Sequence, residues 1–143
     1  MHIVEATIDD ANPQVLAAFL ETALGLGAID AYLTPVVMKK NRLGTKLTLL
    51  AAEDNLDPLI AAVFRETTSI GIRHFPVGRR ALDRALIPVR VLGGTIGVKV
   101  ASFGGEPVNA QPEFADALAL ARKRGLPVKE VLRRALAAYE RKE

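Results

Sequence analysis

Cysteine is absent from this chain of 143 residues, and histidine occurs only twice, at His2 and His74. The lack of cysteine excludes disulfides, thiolate nucleophiles and cysteine-ligated zinc or iron–sulfur sites. Two histidines and two methionines leave few ligands for a soft or borderline metal ion. No apolar run approaches the roughly 18 residues of a membrane span, and the first residues lack the basic and apolar regions of a signal peptide. We therefore expect a soluble, cytoplasmic protein with no membrane partner.

Positive charge is missing from the first 38 residues, which contain five acidic side chains. Four basic residues then follow within eight positions, and the stretch 122–142 holds eight basic residues against two acidic ones. The formal net charge is only +3, so the asymmetry lies in the distribution of charge. Blocks of this kind are solvated helix faces or contact an anionic partner.

The hydrophobic pattern of residues 1–80 predicts an α+β domain. Residues 2–9 alternate as a half-buried strand, and Asn12-Pro13 supplies the cap and first residue of a helix. The remaining predicted elements are strands over 28–38, 45–53 and 70–77, with a helix starting at Asp54. Pro35 favours a position at a sheet edge or a bulge for the second strand. The order is that of the ferredoxin-like split β-α-β fold, an antiparallel sheet covered by two helices on one face.

Residues 81–143 are predicted to form a smaller region packed on this domain, a β-hairpin followed by a pair of helices. Its predicted elements are strands over 86–92 and 95–101, ended by Gly104-Gly105, and helices opened by Pro112 and Pro127. The two helices carry several basic residues and resemble a helix-turn-helix in outline. They lack a recognition helix with base-reading side chains, so we expect no nucleic-acid partner.

Carboxylates gather where the first strand ends, between Glu5 and Asn12. Asp9 and Asp10 are adjacent there, and carboxylates at a strand end can hold a hard divalent ion through oxygen. The same sequence before Pro13 is also typical of a turn and a helix cap. Both interpretations are open at this point.

A second polar cluster occupies the predicted loop between the second and third strands. Lys39, Lys40 and Arg42 lie there within four residues, just before Gly44. Three cations on a short loop can surround a polyphosphate, with arginine as a forked donor and lysine as a mobile point charge. An exposed basic turn is the alternative.

A third cluster runs from Arg65 to Arg73 and includes Thr67, Thr68 and Ser69. Hydroxyl side chains are poor helix formers, and between two arginines they can donate to phosphate oxygens or a sugar. A hydroxyl-rich helix C-cap is the alternative. We expect the second helix to end at the opposite end of the sheet from the first strand. That geometry does not guarantee that the first and third clusters share a site within one protomer, and a subunit interface is the alternative way to bring them together.

These clusters, in this order, resemble the C-terminal domain of the LarC nickel-insertion family. The matching segments are residues 5–13, 31–35, 38–42, 64–68 with Gly71 and Arg73, 99–101 and 109–113. The resemblance covers nearly the whole chain. It departs from the family pattern at Thr7, Ala11 and Leu43, and these changes spare the charged residues.

The resemblance implies a CTP-dependent nickel chelatase, a lyase also called a cyclometallase. Such a protein inserts nickel into pyridinium-3,5-bisthiocarboxylic acid mononucleotide, the precursor of the nickel-pincer cofactor of lactate racemase. It also implies binding of CTP with Mg or Mn and a homo-oligomeric state. The residues expected at the nucleotide are Lys39, Lys40, Arg42, Arg65, Thr67, Thr68, Arg73 and Lys99, with Asp9 and Asp10 at the divalent ion. No catalytic residue is indicated.

Nickel needs ligands that are scarce in this chain, and the His-rich region that precedes the domain in family proteins is not present here. We therefore expect the N-terminal nickel-binding part, or another chain, to deliver nickel, and this chain to be inactive without it. The alternative hypothesis is a ferredoxin-like regulatory module that binds a small molecule on its open sheet face and has no catalytic activity.

Overall fold

The computed structural model describes residues 1–141, which divide into two compact units, residues 1–79 and the residues from Arg80 onward. The elements of the first unit are β1 (His2–Ile8), α1 (Pro13–Gly25), β2 (Asp30–Val37), β3 (Leu43–Ala51), α2 (Leu56–Glu66) and β4 (Arg73–Pro76). Short 3₁₀ turns at Lys39–Asn41 and Glu53–Asn55 precede β3 and α2. The predicted order of strands and helices is confirmed. Packing of the second unit on the first stays a prediction.

The sheet of the first unit is antiparallel and has the strand order β2-β3-β1-β4. The second strand is an edge strand, as Pro35 predicts. On β1, Val4, Ala6 and Ile8 are buried in one core with α1 and α2, while the residues between them face the open side. Burial of each large apolar side chain in such a core contributes about 1.5–3 kcal/mol. Alternation along β1 therefore divides its side chains between the core and the open face.

Two local signals set the limits of α1. The Asn12 Oδ1 accepts a hydrogen bond from the Gln14 backbone N–H at 2.9 Å, and Pro13 is the first helical residue. The helix ends at Gly25, and the chain leaves it through Gly27, whose φ of 92° suits a residue without Cβ. The predicted cap is thereby confirmed, and the turn between β1 and α1 carries Asp9 and Asp10.

The second unit contains β5 (Asp83–Val91), β6 (Gly94–Phe103), β7 (Glu106–Pro112), α3 (Phe114–Arg124) and α4 (Val128–Glu140). Its sheet has the order β5-β6-β7, and its core joins the sheet to both helices. The predicted hairpin therefore gains a third strand. Gly104 and Gly105 do not end the sheet, because both have positive φ and form the turn that leads into β7.

No helix in the described part of the chain is long and apolar enough to cross a membrane. A cytoplasmic location stays a prediction.

Candidate functional site

The three polar clusters of the first unit meet at one end of its sheet. Asp10 Oδ1 accepts a hydrogen bond from the Thr68 hydroxyl at 2.5 Å, and Asp9 Oδ2 accepts one from Arg42 Nη1 at 3.1 Å. The first contact joins the end of β1 to the chain that follows α2, and the second joins it to the β2–β3 loop.

The expectation that α2 ends at the opposite end of the sheet from β1 is wrong. Because β3 is antiparallel to β1, α2 starts at the far end of the sheet and returns to the end where β1 finishes. The first and third clusters therefore share a site within a single chain, with no subunit interface needed.

A second part of the site lies on the open face of the sheet. The Glu5 carboxylate is 2.9 Å from Lys46 Nζ and 3.8 Å from Arg73 Nη2. Glu5 lies opposite Thr48 on β3 and Arg73 on β4, and Lys46 lies opposite Thr7 on the same face. The Glu5 side chain is only 18% exposed, so its charge is partly desolvated and balanced by the two cations.

Glu5 opens the first predicted cluster, but neither Glu5 nor Lys46 was assigned a role at the site. They are 41 positions apart, and only the strand register brings them together. The charge of Glu5 within an otherwise uncharged strand was the available signal. We call the seven residues of both parts the charged cluster: Glu5, Asp9, Asp10, Arg42, Lys46, Thr68 and Arg73.

The β2–β3 loop is held tightly against the end of β1. The Met38 backbone N–H donates to the Arg42 carbonyl at 2.8 Å, and Lys40 and Asn41 between them both have left-handed φ values near 60°. Such values are unfavourable for residues with a Cβ and are enriched at functional sites. A Cβ on Gly44 would lie 2.8 Å from the Ile8 carbonyl oxygen, so only glycine allows this approach.

The two threonines after α2 have different roles. Thr67 donates its hydroxyl to the Val63 carbonyl at 2.7 Å and accepts from the Ser69 backbone N–H at 3.1 Å. It therefore caps the end of the helix, which is the alternative interpretation of the third cluster. Thr68, by contrast, points to Asp10.

Three predicted cations have no partner among the described residues. Lys39 and Lys40, in the 3₁₀ turn, and Arg65, in the last turn of α2, are exposed and form no hydrogen bond or ion pair there. Lys99 lies in the second unit, on β6, where its Nζ is 2.6 Å from Glu113 Oε1. The role of Lys99 at the nucleotide stays a prediction.

The described residues contain no group of three or more histidine, cysteine, aspartate or glutamate side chains placed to hold a metal ion. His2 and His74 do approach each other, with ring centroids 5.9 Å apart, but His2 Nε2 is 2.6 Å from Glu53 Oε2. The acidic side chains at this end of the sheet are instead bonded to Arg42 and Thr68, and carboxylates and cations are the donor types that suit a polyanion with a hard cation.

The fold and the charged cluster thus define an α+β protein with a ferredoxin-like unit and a group of carboxylates and cations at one end of its sheet. Comparison with known proteins identifies its family. The family model described as "Nickel insertion protein" matches residues 1–132. The chain belongs to the nickel insertion protein family.

A relative from Nocardioides sp. (strain ATCC BAA-499 / JS614) is 40% identical over 135 residues, which are 94% of this chain and 34% of that protein. It is named "Pyridinium-3,5-bisthiocarboxylic acid mononucleotide nickel insertion protein". This chain spans about a third of the length of the curated relatives it matches.

Two solved structures share the fold. One is described as "LarC2, the C-terminal domain of a cyclometallase involved in the synthesis of the NPN cofactor of lactate racemase, apo form". It has a TM-score of 0.91 and 34% identity, over 97% of this chain and 96% of that one. The other is protein MK0293 from Methanopyrus kandleri AV19, with a TM-score of 0.72 and 25% identity, over 96% of this chain and 85% of that one.

Proposed function

We propose that this chain is the nucleotide-binding C-terminal domain of a nickel insertion protein and that its charged cluster binds CTP with a divalent ion. The proposal rests mainly on one observation: carboxylates, cations and a hydroxyl from β1, the β2–β3 loop and the chain after α2 come together at one end of the sheet. Named relatives of the same family support the wider reaction, nickel insertion into pyridinium-3,5-bisthiocarboxylic acid mononucleotide. The preference for cytidine comes from the family resemblance.

The cations of the site suit a triphosphate. Arg42 and Arg73 are 60% and 62% exposed, and each forms an ion pair with one carboxylate. A phosphate can displace that carboxylate as the partner of the guanidinium group. Lys39, Lys40 and Arg65 add three exposed positive charges at the same end of the sheet. When a triphosphate binds, the weak, solvated arginine–carboxylate ion pairs are replaced by forked contacts between arginine and phosphate.

Asp9 and Asp10 fit a magnesium or manganese ion that arrives with the nucleotide. Mg²⁺ is usually held by one or two carboxylates together with substrate phosphates, whereas a dedicated protein cage needs more ligands than the described residues place together. The ion would neutralise phosphate charge and act as a Lewis acid. Its arrival would release Arg42 from Asp9, so metal and triphosphate are expected to bind together.

Nickel is the cargo of the proposed reaction and is expected to come from elsewhere. The chain has no cysteine and only two histidines, and the described residues form no three-ligand site. We propose that the N-terminal nickel-binding part of the protein, or another chain, delivers the ion. The cyclometallase, a lyase, would then need both parts, and this chain by itself would be inactive.

A homo-oligomer is part of the proposal. Val37 and Leu43 are paired where β2 ends and β3 begins, and Ile70 follows Thr68 by two residues. Their side chains are 71%, 81% and 101% exposed, and large apolar side chains this exposed support burial against a second copy of the chain. Light scattering of the wild-type chain and of an Ile70→Asp variant tests this: a dimer or larger assembly that the variant weakens is the expected result.

A thermal-shift panel of the four nucleoside triphosphates, each with and without Mg²⁺, tests the nucleotide site. A ligand at a hundred times its Kd stabilises the native state by about 2.7 kcal/mol. We expect CTP with Mg²⁺ to raise Tm most, and Arg42→Gln and Arg73→Gln to reduce that rise. Arg84→Gln, an exposed cation of the second unit, is the control.

Three outcomes would contradict the proposal. Equal responses of wild-type chain and of both arginine variants would remove the charged cluster as the nucleotide site. Tight nickel binding with no response to any nucleotide would refute the division of labour between the two parts of the protein. Binding of a nucleotide with no effect of Mg²⁺ would instead favour the regulatory small-molecule module.

A further inference from the structure

A second basic site lies in the second unit, between α4 and the edge strand β5. A cavity of about 410 Å³ is lined there by four arginines, Arg90, Arg133, Arg134 and Arg141. The rest of its lining is apolar, from Val91, Leu92, Ala137 and Ala138, and none of the described lining residues is acidic. We call this cavity the arginine pocket.

Helix geometry places the arginines of α4 on one side of the helix. Val131, Ala135 and Tyr139 are buried in the core of the second unit, which fixes the rotation of α4. Residues at spacings of three, four and seven share a helix face, so Arg134 and Arg141 flank the alanines of the pocket. The pocket thus has an apolar floor between guanidinium groups.

Glu130 does not line the pocket, but its carboxylate accepts hydrogen bonds from two of these arginines. Its Oε1 accepts from Arg134 Nε at 2.7 Å and from Arg133 Nη2 at 2.9 Å, and its Oε2 accepts from Arg133 Nε at 3.0 Å. These hydrogen bonds, chiefly those from Arg133, lower the pKa of Glu130 to about 2. The carboxylate is therefore ionised at neutral pH and accepts hydrogen bonds from both guanidinium groups.

The charge near the pocket is not balanced. Glu130 supplies one negative charge against Arg133 and Arg134 of α4 and Arg141 directly after it, and Arg90 forms no hydrogen bond or ion pair among the described residues. The sequence from residue 80 onward has twelve basic and seven acidic residues, a formal charge of +5, whereas residues 1–79 have seven and nine, a charge of −2. The excess positive charge of the chain therefore lies in the unit that contains the pocket.

We propose that the arginine pocket binds the phosphate group of a small organic anion of mononucleotide size. Arginine recognises phosphate through paired N–H donors, and the alanine floor offers apolar contact to the organic part of the ligand. A site that follows a nucleic-acid backbone needs an extended basic surface, whereas this one is a cavity with a half-apolar lining. The proposal does not depend on the nucleotide site of the first unit.

The test uses uridine 5′-monophosphate as the probe, titrated into the full chain by calorimetry and by amide NMR without divalent ions. We expect shift changes around residues 90–92 and 133–141. The double variant Arg134→Gln/Arg141→Gln should bind about tenfold more weakly or worse, since it removes two of the four guanidinium groups that can donate to the charged phosphate. Circular dichroism checks that the variant remains folded.

The matched control is Arg84→Gln/Arg122→Gln, which removes two exposed cations from the same unit outside the pocket. It should keep the affinity within about twofold, because distant exposed charges are screened. The proposal is overturned if both double variants bind the probe equally. It is also overturned if the chain binds random duplex DNA through Arg134 and Arg141 but does not bind the monophosphate. Neither result bears on the response of the first unit to CTP and Mg²⁺.

Discussion

The variant Glu5→Gln should lower stability and raise affinity for a polyphosphate at the same time. In the wild-type chain the carboxylate is 2.9 Å from Lys46 and 3.8 Å from Arg73. Replacing it with an amide removes both ion pairs but keeps the size of the side chain. The two cations then lose their internal counter-charge and become available to a phosphate.

The magnitudes follow from exposure and distance. Lys46 is 32% exposed and Arg73 is 62% exposed, so each pair contributes about 0.2–1 kcal/mol and the variant should lose about 1 kcal/mol of unfolding free energy. A negative charge about 8 Å from a bound phosphate repels it by about 2 kcal/mol at an effective dielectric constant of about 20, less with salt screening. Its removal should therefore strengthen binding about tenfold.

The assay combines urea unfolding with calorimetric titration of tripolyphosphate in the presence of EDTA. Glu21→Gln is the control, because it removes the same charge from an exposed position on α1. Equal or weaker tripolyphosphate binding by Glu5→Gln than by Glu21→Gln would refute the role of Lys46 and Arg73 in anion binding. A loss of stability without a gain in affinity would leave Glu5 a purely structural residue.

Three further changes test other parts of the structure. Gly44→Ala should destabilise the chain by about 1–3 kcal/mol in urea because its Cβ meets the Ile8 carbonyl, whereas Gly71→Ala has open space. Thr48→Val should be neutral or stabilising by up to about 1 kcal/mol, since the buried Thr48 hydroxyl has no partner among the described residues. Glu130→Gln should lower Tm at pH 7, and its difference from wild type should vanish as pH falls from 4.5 to about 2.

A specific result would contradict each of these three predictions. Equal stability of the two alanine variants would mean that the β2–β3 loop moves away from β1 at no cost. A large loss of stability in Thr48→Val would reveal a hydrogen bond to an ordered water. For Glu130, the folded pKa is depressed, so its stabilisation is fully present above the unfolded pKa and is lost as pH falls through the folded pKa of about 2. A difference in Tm that persists below about pH 2 would contradict the ion pairs.

Local patterns in the sequence were sufficient to predict most of the strands and helices of the fold. Alternation on β1, the cap at Asn12 and the edge position of Pro35 each follow from nearest-neighbour chemistry, and all three are confirmed. The strand β7 escaped detection because most of its residues are exposed and it contains two prolines, so it has no hydrophobic period. Its existence depends on pairing with β6, a contact that a local pattern does not report.

The residue types of the site were visible in the sequence, but their arrangement was not. The cations of the β2–β3 loop, the adjacent carboxylates and the threonines could be singled out because such residues are unusual at strand and helix ends. Assembly of the charged cluster needed the direction of α2, which brings Thr68 to Asp10.

The amino-acid order by itself determined which segments are strands and helices and which side chains can carry anion chemistry, because both depend on short-range spacing. Only the tertiary structure decided that Glu5 lies between Lys46 and Arg73 and that four arginines line one cavity. The physical reason is that strand register and helix packing are set by burial of the whole core. These contacts between distant residues have no counterpart in any local stretch of sequence.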